Sequence, residues 1–139
     1  MTYRERYEQW LRDFADDPAT VAELQAIAGD EKEIEDRFYT ELSFGTAGMR
    51  GVLGAGTNRM NLQNVRRATK GFADYINAGD PSYRTRGVVI AYDSRRMSPQ
   101  FARAAALVLC HEGIHVYLFD ELRPVPILSY AVRHLHAVA

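Results

Sequence analysis

The sequence predicts an α/β chain in which an N-terminal helical extension precedes a partly parallel sheet flanked by helices. Three observations carry that expectation. Residues 1–41 repeat apolar side chains at helical spacing. Gly87–Tyr92 and Ile114–Phe119 are short apolar runs separated by a helix-patterned segment. Between the extension and these runs lies Leu42–Asn58, LSFGTAGMRGVLGAGTN, which holds five glycines. A strand, a helix and a second strand make a crossover that sets the two strands parallel.

The extension reads as three helices. Tyr3, Tyr7, Trp10, Leu11 and Phe14 recur at i, i+4, i+7, i+8 and i+11, one stripe of an amphipathic helix. Asp17 before Pro18 is an N-cap followed by proline at the first helical position; Val21, Leu24 and Ile27 follow, and Gly29 ends the segment. Asp30 with Glu33 three residues later resembles a capping box ahead of Ile34 and Phe38. The charges of these helices read as a solvated face.

In Leu42–Asn58 the glycines at 45, 48, 51, 54 and 56 free the backbone to take positive φ and let a ligand approach main-chain N–H groups. Arg50, fixed there, offers a planar fork of donors suited to phosphate or carboxylate. The loop thus reads as an anion cradle. The same composition also fits a glycine-rich hairpin with Arg50 solvated. Neither the P-loop nor the dinucleotide-binding glycine pattern is met, so no nucleotide is implied.

Beyond the loop, Asn61 caps a helix with Leu62, Val65, Thr69, Phe72, Ala73 and Ile76 on its buried stripe, closed by Gly79-Asp80-Pro81. Arg66, Arg67 and Lys70 occupy its other face. Asp93, Arg95 and Ser98 follow the first strand directly, where ligands gather in open α/β sheets. Asp93 reads as a partner for Arg95 or Arg96, and Ser98 as the N-cap of a helix with Pro99 at its first position, ended by Gly113. Pro124-Val125-Pro126 restricts a loop, Ile127–Leu135 gives a last short helix, and Ala137-Val138-Ala139 looks like the start of another strand.

Composition narrows the function classes. With 139 residues, 47% of them hydrophobic, the chain suffices for one domain or part of one. No apolar run approaches the ~20 residues of a membrane helix, and the N-terminus is charged rather than signal-like. Cys110 is the single cysteine, which forbids an internal disulfide, points to the cytoplasm, and within a helical pattern reads as a buried, inert thiol. His111, His115, His134 and His136 are not spaced as a metal set. Residues 1–41 carry a net −7 and residues 42–139 a net +6. The arginines fall singly or in pairs without a basic run interleaved with aromatics, which argues against nucleic acid.

FGTAGMRG (Phe44–Gly51), AYDSRRMS (Ala91–Ser98) and RPVPILSYAVR (Arg123–Arg133), in this order and spacing, resemble the first domain of the α-D-phosphohexomutases. The acidic extension resembles the bacterial phosphoglucomutase and phosphopentomutase-related branch. The resemblance covers nearly the whole chain. It implies a mixed, partly parallel sheet and a four-domain cytoplasmic enzyme that interconverts hexose 1- and 6-phosphates through a phosphoserine and a bisphosphate intermediate. Mg2+, held by the phosphoserine and an aspartate cluster of the second domain, and glucose 1,6-bisphosphate would be its cofactors. By the same resemblance Arg50 matches the arginine that faces the phosphoserine, with Thr46, Ala47 and Gly48 as its phosphate-binding loop. Arg95 matches the arginine of a G-x-D-x-R pattern near the same centre, supported by Asp93 and flanked by Ser98. Ala91 departs from the glycine of that pattern.

The family's Thr-Ala-Ser-His-Asn-Pro motif would follow a strand beginning near Ala137 and does not occur in these residues. The expectation is therefore an N-terminal fragment: residues 1–41 the extension, residues 42–139 the first domain truncated before the phosphoserine loop. Alone it is expected to be inactive, without a bound cofactor, and with an unpaired sheet edge that invites self-association. Its expected partners are a sugar phosphate and the remaining domains of its parent chain, with neither nucleic acid nor membrane. Pentose or mannose phosphates are alternative substrates, and a stand-alone sugar-phosphate-binding or assembly domain is the non-enzymatic alternative.

Overall fold

The first helix begins where the Thr2 hydroxyl accepts from the Glu5 amide and the Glu5 carboxylate accepts from the Thr2 amide, a reciprocal cap that satisfies two otherwise orphan donors. The computed structural model describes residues 1–46 and 48–139, which form two compact units, Met1–Asn64 and Val65–Ala139.

In the first unit, α1 (Tyr3–Asp13), α2 (Pro18–Ala26) and α3 (Glu31–Phe38) follow the expected starts, with Asp17 and Asp30 accepting from Thr20 and Glu33 amides. Glu33 does not complete a capping box. Its carboxylate turns away from the Asp30 amide to Arg37 Nε at 2.7 Å, the i,i+4 neighbour on its own helix. Tyr7, Trp10, Leu24, Ile34 and Phe38 close the core, with Ala55 of the glycine-rich loop among them. Phe38 packs in T-shaped geometry with Tyr7 and with Trp10, each at 5.7 Å between centroids, and the Tyr7 hydroxyl donates to the Leu24 carbonyl at 3.0 Å. Fully burying Phe38 or Ile34 contributes roughly 1.5–3 kcal/mol each. β1 (Phe44–Gly45) and β2 (Gly48–Met49) pair antiparallel as the two arms of a small hairpin, in which Phe44 faces Met49 and Gly45 faces Gly48.

Asn61 caps α4 (Leu62–Asn77) through the Asn64 amide at 2.8 Å. In the second unit, α4 is followed by a short helix, α5 (Ser82–Arg86), which sequence pattern did not reveal. The strand β3 (Val88–Ile90), the helix α6 (Ser98–His111) and the strand β4 (Val116–Leu118) make the expected crossover, with Val88, Val89 and Ile90 paired to Val116, Tyr117 and Leu118 in parallel register. The period-two alternation of a strand puts Val88 in a cluster with Ala73, Ile76, Leu109 and Ile114, and Val89 in another with Ala131 and Ala137 under α7 (Val125–His134). The result is a helix, sheet and helix layering around β3. Val138 donates to the Gly87 carbonyl and Val89 to the Ala139 carbonyl, so the last residues lie along the free side of β3. That side of the sheet is thereby covered. The antiparallel hairpin and the parallel pair are two separate sheets.

Several local expectations shift. The strands are shorter than the apolar runs. Ser98 is the first helical residue, and the N-cap position falls to Met97, in the left-handed region with φ 67° and no side-chain cap; the Ser98 hydroxyl instead accepts from the Asp93 amide at 3.4 Å. Pro124–Pro126 is the entry to α7, with Pro126 tolerated in its first turn, where an N–H would be unpaired. Phe72 is 39% exposed, and Cys110 is exposed on α6 rather than buried. No helix among the described residues is long and apolar enough to cross a membrane.

Candidate functional site

The glycine-rich segment divides into two halves with opposite surroundings. Its front half is the hairpin and the residues after it, and there Thr46 and Arg50 are exposed. Gly48 sits at φ 95°, a conformation that favours glycine, and closes the turn next to Thr46. Ala47, expected in the phosphate-binding loop, lies outside the described residues. Arg50 has neither a hydrogen bond nor an ion pair with any described residue. Its fork of donors is uncommitted.

The back half, Gly54–Met60, is committed throughout. The Arg37 guanidinium donates to the Ala55 carbonyl at 3.1 Å, to Glu23 at 2.5 Å and to Glu33 at 2.7 Å, while Glu23 also accepts from the Ala55 amide at 3.0 Å. Burial opposes the Arg37 charge, but its hydrogen bonds to Glu23 and Glu33 outweigh it and raise its pKa. The Asn64 amide group donates to the carbonyls of Gly56, Thr57 and Arg59, and Asn61 to those of Gly54 and Gly56. In return, Asn58 donates to the Asp36 and Arg37 carbonyls at the end of α3, groups that a helix terminus leaves unpaired. Arg59 is buried and paired to Asp36 at 2.5 Å. At Gly56, φ is 133°, and a Cβ would sit 2.8 Å from the Arg37 carbonyl oxygen.

The two halves are tied together at the hairpin stem. The Leu42 amide donates to Thr57, the Met60 amide to Val52 and the Gly54 amide to Met60. The glycines at 54 and 56, read from sequence as part of an anion cradle, therefore serve the packing of the loop on α3. The charges of Glu23, Glu33, Asp36 and Arg37, read as a solvated face, hold the loop down. Sequence reasoning missed this set because each partner lies far along the chain; only the i,i+4 spacing of Glu33 and Arg37 was a local signal.

In the second unit, Asp93, Arg95 and Ser98 come together beyond the carboxyl end of β3. Arg95 Nε lies 2.8 and 3.1 Å from the two Asp93 oxygens, and its amide donates to the same carboxylate at 3.1 Å. Hydrogen bonds from the Arg95 side chain and then its backbone hold the Asp93 carboxyl below the usual carboxylate range. With 76% of its side chain exposed, Arg95 keeps its outer nitrogens in solvent. Arg96 is exposed beside it. The turn is closed by the Ser98 amide on the Arg95 carbonyl at 3.0 Å, and Tyr92 ties it to the end of β4 through Arg123 and Asp120. Among the described residues no three His, Cys, Asp or Glu side chains gather as a metal site.

Both loops lie in a segment that matches a known family. Residues 41–139 match the family model described as phosphoglucomutase/phosphomannomutase, alpha/beta/alpha domain I. A phosphopentomutase of Mus musculus is 39% identical over 139 aligned residues, covering 94% of this chain and 22% of that protein. A phosphoglucomutase of Staphylococcus epidermidis is 44% identical over 108 residues, covering 78% and 19%. A glucose 1,6-bisphosphate synthase of Mus musculus is 36% identical, covering 94% and 22%. The chain thus spans about a fifth of the length of these relatives. No solved structure matches it.

Proposed function

The chain belongs to the phosphoglucomutase/phosphomannomutase family, and from that premise we propose that it is the first domain of a phosphomutase that interconverts hexose 1-phosphate and 6-phosphate through a phosphoserine and a bisphosphate intermediate. The observation that carries this reading is the family match itself, which takes in both arginine loops within residues 41–139. In this reading each of the two arginines, Arg50 in the first unit and Arg95 in the second, is a donor to phosphate. Catalysis of phosphoryl transfer is positioning and neutralisation of charge on the equatorial oxygens, and a guanidinium fork suits both tasks. Arg50, without a carboxylate partner among the described residues, has its full donor set for the phosphate. Arg95 is oriented by Asp93, and the remaining nitrogens of its guanidinium face outward. Thr46 and Gly48 precede Arg50 in the same hairpin, and the Ser98 hydroxyl accepts from the Asp93 amide in the Arg95 turn.

Mg2+ and glucose 1,6-bisphosphate belong, in this reading, to the parent enzyme in the cytoplasm. Among the described residues no three His, Cys, Asp or Glu side chains gather, and no step here runs through the ion. Without a Ser-His-Asn-Pro segment, the 139 residues alone are expected to turn over no substrate.

A pentose phosphate is the second reading of the substrate. Relatives named phosphopentomutase align over 94% of the chain, which takes in most of the extension as well as the matched domain. The deciding experiment is an assay of the parent reading frame with glucose 1-phosphate, ribose 1-phosphate and mannose 1-phosphate, wild type beside Arg50→Ala. Turnover of a hexose phosphate, lowered about 10²–10³-fold in kcat by Arg50→Ala, is the expected result. No mutase activity with any of the three, together with saturable binding of glucose 1,6-bisphosphate by this chain, would leave a sugar-phosphate-binding domain instead.

A further inference from the structure

The family match begins at residue 41, yet part of the grip on the glycine-rich loop comes from side chains before it. Glu23 lies on α2, and Glu33, Asp36 and Arg37 lie on α3. Arg37 is the node of this grip. Its side chain is 14% exposed, and its donors reach two carboxylates and the Ala55 carbonyl at once. Glu23 closes the ring by accepting from both Arg37 and the Ala55 amide. A guanidinium with that many directional bonds fixes a backbone more tightly than apolar contact does, because each bond fails within a few tenths of an ångström. The fixed segment then holds the stem of the hairpin through Leu42 to Thr57 and Met60 to Val52. Arg50 follows β2 directly and has no described partner of its own, so its place is set by the backbone that carries it.

We infer that Arg37, closed by Glu23, is a positioning residue for Arg50, so that the helical extension works as a brace for the phosphate-facing hairpin rather than as an appendage. The inference rests on the reading of that hairpin given under the proposed function. The chain of contact runs from Arg37 and Glu23 to Ala55, from there along the backbone to Thr57 and Met60, and across the stem bonds to residues 42 and 52. Every link lies within one compact unit. Arg37 acts through this chain and touches no substrate.

The test uses this chain in three forms: wild type, Arg37→Ala and Glu23→Gln. Glutamine at 23 keeps an acceptor for the Ala55 amide while removing one of the two carboxylate charges that hold Arg37, so this form retains the three-helix core even where Arg37→Ala unfolds. Two readouts are taken by NMR: amide exchange at Leu42 and Met60 against Leu24 and Phe38, and titration with glucose 1,6-bisphosphate. The expected result is exchange about tenfold faster at the stem amides with the core amides unchanged, and a bisphosphate affinity weakened about fivefold or more. Stem amides that exchange as in wild type in Glu23→Gln would overturn the inference, since the brace would then end at Ala55. If the stem amides respond but wild type binds no bisphosphate, the brace stands and the phosphate reading of the hairpin falls. In the parent enzyme Arg37→Ala is expected to lower kcat per folded molecule, with the folded fraction measured by circular dichroism, a loss that unfolding alone does not produce.

Discussion

Arg50 and Arg95 are both exposed arginines beside short pieces of sheet, and they are held in opposite ways. Arg95 carries its own support: Asp93, two residues back, accepts from its side chain and its amide. Arg50 has no such partner among the described residues, and its order comes from a backbone pinned by residues as far as 32 positions away. The difference teaches that one kind of side chain can be aimed by a local ion pair or by a remote scaffold. The first is tuned by solvent and pH. The second is tuned by packing, and damage to it costs stability before it costs charge. An uncommitted guanidinium keeps all its donors for a ligand, at the expense of a larger supporting structure.

The largest effect is expected where the scaffold behind Arg50 is broken. Gly56→Ala places a methyl group 2.8 Å from the Arg37 carbonyl oxygen and 2.9 Å from its Cβ, at a φ of 133° that side chains rarely adopt. Backbone and α3 cannot both keep their places. The expected loss is about 2–4 kcal/mol in urea unfolding, borne by the first unit. A loss below about 0.5 kcal/mol would mean that the loop reseats freely and that Arg50 is not held from behind.

A smaller lesion tests the same side of the comparison without adding bulk. Asn64→Ala removes an amide group that serves three carbonyls at 2.7 to 3.1 Å and leaves them buried without that donor. About 1–3 kcal/mol of stability should go with it. Asn61 still reaches the Gly54, Gly56 and Arg59 carbonyls, so only the Thr57 carbonyl, which also accepts from Leu42, loses its tie to the asparagine pair. Faster exchange of the Leu42 amide in this variant is the specific sign, and an unchanged rate would detach the stem from the scaffold.

What could be read from sequence divides along the same line. Asp17, Asp30 and Asn61 as caps, Gly113 as a stop and the crossover between β3 and β4 are legible because each signal acts within a few residues. The Asp93 and Arg95 pair was legible for the same reason. Glycines 54 and 56 were assigned to ligand approach because sequence cannot show that the neighbour is Arg37, at the far side of the loop. Ser98 had the residue type of a cap, but its hydroxyl is taken by the Asp93 amide and Met97 turns the chain instead. Cys110 sat in an apolar pattern whose buried members are Ala102, Ala104, Ala106 and Leu109, and its own place on the helix faces out.

The finest distinction concerns pH, and it falls on Arg95. The Asp93 carboxyl is held below its usual range because Arg95 donates to its charged form, so its folded pKa lies under the unfolded value of about 4. A group depressed in this way contributes its stability above the unfolded value and loses it as pH falls through the lowered one. The pair should therefore persist at pH 4 and come apart below that. Carbon-detected NMR of the Asp93 carboxyl and of Arg95 Nε is expected to give one shared midpoint beneath that of an ordinary aspartate. Asp93→Asn should abolish the Arg95 transition while leaving urea stability at neutral pH close to wild type, since the pair is solvent-exposed. An Asp93 midpoint at the ordinary value, or an Arg95 signal that titrates unchanged in Asp93→Asn, would show that Arg95 too is held by its backbone, and the contrast with Arg50 would disappear.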